Sequence, residues 1–232
     1  MRLDFRLMLF VVLCGVELLG EWCSFFPLIV VSKPLLMPAL AFWWYGNKKE
    51  FGSEQVWVLL ALLFSTLGDV LLLFSRQYTS FFLLGLGAFL VAHLFYILTF
   101  WKLKKGDGYL IAFPLLTVPF LLYLIGLLAY LWSGIPAPMR WAVVLYGAVI
   151  MVMALSALHL RRKVPENAFW TVFFGAVLFV LSDTMIAINK FRQSIPSAGL
   201  LIMSTYVLGQ YGIVRGLLGI SAARAASQQS QE

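Results

Sequence analysis

The sequence predicts an all-α polytopic membrane protein with eight transmembrane helices. Three observations predict it. Of 232 residues, 62% are hydrophobic and 12% charged, and mean hydropathy is +0.93. No soluble domain of this size buries that much apolar surface. The apolar runs are about 20 residues long, which suits a membrane-crossing helix better than a barrel strand. The connections between runs are short, and only helices or closed barrels satisfy their own backbone in lipid.

The first span, 4–20, follows Arg2 and Arg6 as a secretory leader would. It carries Glu17, with Glu21 just beyond it, and lacks a small-x-small cleavage site, so it reads as a retained span. The second, 25–45, holds Lys33 directly before Pro34, with Pro38 further on. Each proline frees a carbonyl one turn earlier, which is tolerated where a helix lines a cavity or packs on protein. The third, 55–74, contains Asp69 in LLFSTLGDVLLLF, and the fourth, 80–101, contains His93 and Tyr96. The fifth and sixth run over 109–131 and 139–160. The seventh, 167–189, contains Asp183 in GAVLFVLSDTMIAI and ends at Asn189. The eighth, 196–219, carries Tyr206 and Gln210 on one face. Residues 1–220 then form one transmembrane domain, and 221–232 a polar cytoplasmic tail expected to fray.

An even span count puts both termini on one side. That side collects Arg2, Arg6, Lys48, Lys49, Lys102, Lys104, Lys105, Arg161, Arg162, Lys163, Arg215 and Arg224. The other side has Arg76, Arg140, Lys190 and Arg192, with Lys33 left inside the membrane. The positive-inside rule places both termini in the cytoplasm. It also explains the net charge of +7 without nucleic acid. The compact chain suggests a bacterial inner membrane. Trp22, Trp43, Trp44, Tyr45, Trp101, Trp132 and Trp141 at the span ends read as an aromatic belt. Gly85, Gly87, Gly209, Gly212 and Gly216 read as close-packing positions.

Asp69 and Asp183 are the leading functional candidates. A carboxylate at bilayer depth costs roughly 2.5 kcal/mol or more to insert. Both aspartates fall about 10 Å below the outer surface, Lys33 about 13 Å and Tyr206 about 15 Å; His93 and Gln210 lie deeper. These residues could line one cavity narrowing inward from the outer leaflet. LGD at 67–69 and LSD at 181–183 are each followed 23–24 residues later by His93 and Tyr206. This weak repeat suggests two parallel four-helix halves with the site between them. Glu17 and His159 read as interfacial. Cys14 and Cys23 suggest neither a disulfide framework nor a metal site, and one histidine with two distant aspartates is a poor zinc set. GxSxG, P-loop, HExxH and CxxC motifs are missing. The GxGD motif of intramembrane aspartyl proteases fails at Thr66, and Ser182 precedes Asp183 where tyrosine would be needed. Two readings stay open on residues alone. One is an enzyme using a carboxyl pair, since two carboxyl groups in one dry pocket do not both ionise easily. The other is a proton-coupled transporter or lipid flippase, because intramembrane Asp, Lys and His also build proton relays.

The stretches SKPLLMPAL, FSTLGDVLL, GLGAFLVAHLFYI, GAVLFVLSDTMIAINKF and MSTYVLGQ, in this order, resemble the YhhN-like lysoplasmalogenase family. The resemblance implies a membrane hydrolase that cleaves the vinyl ether of lysophospholipid substrates, without a cofactor. The family's polar set falls on Lys33, Asp69, His93, Tyr96, Asp183, Asn189, Tyr206 and Gln210. With that substrate, protonated Asp183 would be the acid. Asp69 would stabilise the cation and activate water, though the two roles could be reversed. Lys33 would hold Asp69 ionised or bind phosphate.

Overall fold

The computed structural model describes residues 4–47, 53–75, 78–103 and 109–229. Among these residues the chain is helical and holds no strand. The helices are α1 (Phe5–Trp22), α2 (Phe26–Gly46), α3 (Ser53–Leu73), α4 (Thr79–Leu103), α5 (Tyr109–Ala112), α6 (Val118–Leu131), α7 (Arg140–Leu158), α8 (Glu166–Phe191) and α9 (Ala198–Gln229). Six segments are long and apolar enough to cross a membrane: Phe26–Gly46, Ser53–Leu73, Thr79–Leu103, Pro114–Gly134, Ala137–Leu158 and Glu166–Phe191. On their length and composition the chain is an integral membrane protein. α1 and α9 are not marked by composition: α1 carries Arg6, Glu17 and Glu21, and α9 carries Gln210, Arg215 and a polar end. Both pack on the bundle all the same, α1 on α2 and α9 on α8.

The fifth segment departs from a single helix over 109–131. It breaks into α5, a 3-10 turn at Pro114–Thr117, and α6. Phe113 precedes Pro114 and takes φ −133°, ψ 66°, outside the helical region. That is the restriction proline imposes on its predecessor. α2 behaves differently and runs unbroken through Pro34 and Pro38. α9 also runs on to Gln229, so the polar end expected to fray continues as helix.

Loop contacts separate the two ends of the bundle. At one end Asp4 caps α1, accepting from Arg6 N at 3.1 Å and from Asn47 Nδ2 at 2.7 Å. These two donors, Asn47 first, hold the Asp4 carboxyl below its usual range. At the same end Arg224 donates to the Leu103 carbonyl, and Leu110 N donates to His159 Nδ1 at 3.4 Å. At the other end Arg192 donates to Ser133 Oγ at 3.1 Å. Of the basic residues in the charge asymmetry, Arg2, Lys48, Lys49, Arg76, Lys104 and Lys105 lie outside the described residues.

Two expectations about interfaces are corrected. Trp43 and Trp44 are buried in the core, not part of a belt, and Trp43 stacks on Tyr211 at 5.6 Å. Their face of α2 turns into the bundle. Gly87 meets nothing within 4 Å of a built Cβ, so it is not a packing position. The glycines of α9 are. A Cβ on Gly209 would come within 2.9 Å of the Gly175 carbonyl, and one on Gly216 within 2.8 Å of Val172 N. A Cβ on Gly175 would in turn meet Ile213 N at 2.6 Å. Backbone-to-backbone contact of this kind is the attraction available to helices in lipid, where apolar burial supplies none. Gly175→Leu is therefore expected to destabilise the protein by about 1–3 kcal/mol through overpacking. Gly87→Leu should leave it unchanged. Apparent melting midpoints of the two variants in one detergent check this.

Candidate active site

The polar residues at membrane depth form two clusters. In the first, Asp69 on α3 is 2% exposed and accepts from Tyr206 Oη of α9 at 2.8 Å. In the second, Asp183 on α8 accepts a hydrogen bond from Tyr146 Oη of α7. His93 on α4 places Nε2 3.9 Å from Asp183 Oδ2. Phe89 and Phe179 lie between the clusters. Phe179 packs 4.8 Å from the His93 ring and 5.4 Å from Tyr206, centroid to centroid. Phe89 packs 5.9 Å from Tyr206. Gly68 makes this wall possible, because a Cβ there would come within 2.5 Å of the Phe89 ring.

The tautomer of His93 follows from its neighbours. Nδ1 faces the Phe89 carbonyl, which can only accept, so Nδ1 carries a hydrogen. In the neutral ring Nε2 is then an acceptor. It is buried, has no hydrogen-bond partner and points at a carboxylate oxygen. At 3.9 Å the two groups are not hydrogen-bonded, and Nε2 is left as a buried acceptor beside the carboxyl group.

A second layer stands apart from Asp183. Tyr96 Oη donates to Gln210 Oε1 at 2.5 Å, and Gln210 Nε2 donates to Ser65 Oγ at 3.0 Å. This chain joins α4, α9 and α3 with every member buried. Asn189 caps the turn after α8, its Oδ1 accepting from Ile195 N at 2.9 Å. Glu17, expected at the interface, is 0% exposed and accepts from Ser32 Oγ at 2.6 Å.

Two cavities define access. A slot of about 40 Å³ between α3, α4, α7 and α8 is walled by Leu72, Phe89, Val143, Tyr146 and Ile186. Asp183, its side chain 11% exposed, is the carboxyl in that lining. A larger vestibule of about 280 Å³ is lined by Glu21, Ser24, Phe26, Lys33, Ser75 and Asn189. Leu72 and Ile186 belong to both linings, so the two spaces adjoin. Asp69 lines neither.

Of the residues singled out by sequence, Asp183 and His93 come together, as do Asp69 with Tyr206 and Tyr96 with Gln210. Lys33 and Asn189 sit in the vestibule instead. Sequence reasoning missed Tyr146 and Ser65. Tyr146 gave one signal, a tyrosine well inside AVVLYGAVI, too far from either span end for an aromatic belt.

Residues 28–217 match the YhhN family. The chain belongs to that family. Curated proteins with YhhN-like sequences include the rat protein named "Lysoplasmalogenase TMEM86B", 31% identical over 221 residues, covering 93% of this chain and 83% of that protein. The human protein of the same name is 31% identical over 202 residues, 87% and 77% of the two chains. A Mycobacterium bovis protein named "Lysoplasmalogenase" is 30% identical over 203 residues, 87% and 73% of the two chains. No solved structure matches.

Tyr206→Phe removes the donor to a buried carboxyl and is expected to cost about 1–3 kcal/mol of stability. A double-mutant cycle with Asp69→Asn in detergent melts checks it. Additive losses would mean that the Asp69–Tyr206 hydrogen bond contributes nothing.

Proposed function

We propose that this YhhN-family protein hydrolyses the vinyl-ether bond of lysoplasmalogens, releasing a fatty aldehyde and glycerophosphocholine or glycerophosphoethanolamine. One observation carries the reading: Asp183, with His93 beside it, forms part of the wall of an apolar slot that adjoins a charged vestibule. A single-chain lipid has the matching polarity, a polar head and an apolar tail with the reacting bond where they join, and a slot of about 40 Å³ admits that bond and not the whole tail. The names of the curated relatives agree with it.

A vinyl ether is hydrolysed through protonation of its outer alkene carbon. Asp183 delivers that proton, and the carbon next to oxygen becomes an oxocarbenium ion. Glycosidases stabilise a similar cation between two carboxyl groups. Asp69 supplies negative charge from behind the Phe89–Phe179 wall. His93 Nε2, an acceptor beside Asp183, takes a proton from the water that adds to the cation. As the resulting hemiacetal breaks its C–O bond to the glycerol oxygen, protonated His93 gives its proton to that oxygen, which leaves as the alcohol; the hemiacetal hydroxyl gives its proton to Asp183, restoring the acid, and the tail leaves as the aldehyde. The enclosed Asp69 suits electrostatic support better than direct water activation, so the base role passes to His93. Tyr146 fixes the orientation of Asp183.

The same reading extends to topology. Eight crossings, with both termini in the cytoplasm, fit the grouping of loop contacts at two ends. Two parallel halves are supported by the exchange of partners: Asp69 bonds Tyr206, while Asp183 faces His93, each aspartate paired with the other repeat's residue. In a bacterial inner membrane the vestibule then opens towards the periplasmic leaflet. Cys23 is exposed in the α1–α2 connection at that end, and Cys14 lies within α1. A membrane-impermeant maleimide is expected to label Cys23 in intact cells. Labelling of Cys23 only in inverted vesicles would reverse the orientation.

Purified protein should release aldehyde from a 1-alkenyl lysophospholipid and none from the 1-alkyl control. Loss of a positioned acid lowers turnover roughly 10²–10⁴-fold, so Asp183→Asn should fall in that range. Tyr146→Phe, which removes only the orienting hydrogen bond, should lose roughly tenfold, mainly in kcat. Unchanged turnover in Asp183→Asn would remove it from the reaction.

A further inference from the structure

The vestibule carries two opposite charges that are not in contact. Lys33 on α2 and Glu21 near the end of α1 both line it. Among the described residues no lysine or arginine nitrogen lies within 4.0 Å of a carboxylate oxygen, so Lys33 and Glu21 are not in contact with each other. Phe26 adds an aromatic ring to the same lining. The Glu21 carboxylate rests against Gly199, where a Cβ would overlap its oxygens. The Leu72–Ile186 boundary leads from these groups to the slot that holds Asp183.

We propose that Glu21 and Phe26 form an ammonium subsite, and that with Lys33 on the phosphate they select zwitterionic lysophospholipid headgroups. The inference rests on the hydrolase reading and deepens it. A compact ammonium such as Lys33 is a suitable partner for phosphate. A substrate ammonium is attracted both by a carboxylate and by an aromatic face. Phosphoethanolamine and phosphocholine present these charges a short, fixed distance apart. A headgroup that ends at the phosphate leaves Glu21 facing an anion, and that repulsion is the source of selectivity. Gly199 is the residue whose lack of a side chain leaves Glu21 its place.

The test compares kcat/KM for aldehyde release from three alkenyl lipids with one tail: the phosphoethanolamine, the phosphocholine and the bare lysophosphate. Wild type is expected to favour both zwitterions by roughly tenfold, the usual worth of one charge-assisted contact. Glu21→Gln should bring the ratio towards one, chiefly through KM, and Glu21→Asp should retain part of it. Gly199→Ala, which crowds Glu21, should also reduce it. Equal kcat/KM on all three lipids in wild type, or a ratio that survives in monodisperse Glu21→Gln, overturns the subsite and leaves the hydrolase reading intact. Absence of aldehyde from all three overturns the hydrolase reading instead. Calorimetric binding of the uncleavable 1-alkyl counterparts reads the subsite without turnover. The same preference is expected in Kd, and equal Kd values overturn it.

Discussion

Asp69 can sit 2% exposed among apolar helices because Tyr206, 137 positions along the chain, donates to it at 2.8 Å. A polar group in hydrocarbon must find its partner inside the protein, and a carboxyl group most of all. That demand is met in the same way at several other polar residues of the bundle. Gln210 bridges Tyr96 and Ser65, Glu17 is held by Ser32, and Tyr146 reaches Asp183. Every one of these bonds joins different helices. The polar network therefore fixes which helices are neighbours, while glycine contacts between α8 and α9 fix how closely they approach.

The network also separates two kinds of carboxyl. Asp69 is enclosed behind Phe89, Phe179 and Tyr206, whereas Asp183 reaches an apolar cavity. The proposed chemistry uses the first as a fixed charge and the second as the acid brought to the lipid, and the aromatic wall keeps them from sharing a proton directly. His93 belongs with the accessible carboxyl, because its Nδ1 is committed to the Phe89 carbonyl and its Nε2 has only Asp183 to face.

Proline shows how context decides the same local conflict. Pro34 and Pro38 stay within a continuous α2, whose neighbours Leu36, Met37, Ala39 and Leu40 are buried in the core. Pro114 ends a helix in a peripheral segment where few side chains are buried. Where packing is dense, the loss of a backbone bond is offset by tertiary contact; at the lipid-facing edge it is not, and the helix breaks.

Much was legible in the sequence. Runs of apolar residues determined the helices, because a chain in lipid must satisfy its backbone within each segment. Isolated Asp69, His93, Asp183, Tyr206 and Gln210 stood out because polar groups are costly there, and their depth followed from the helical rise. The sequence could not determine facing or partners. Tyr146 was not singled out, and Glu17 looked like an interfacial charge and Trp43 and Trp44 like a belt, since rotation about a helix axis leaves composition and depth unchanged. Tertiary packing set those rotations. It put Tyr146 on Asp183, shut Asp69 away from the slot and set Lys33 and Glu21 in one vestibule, because hydrogen bonds and ring contacts between helices depend on which faces meet.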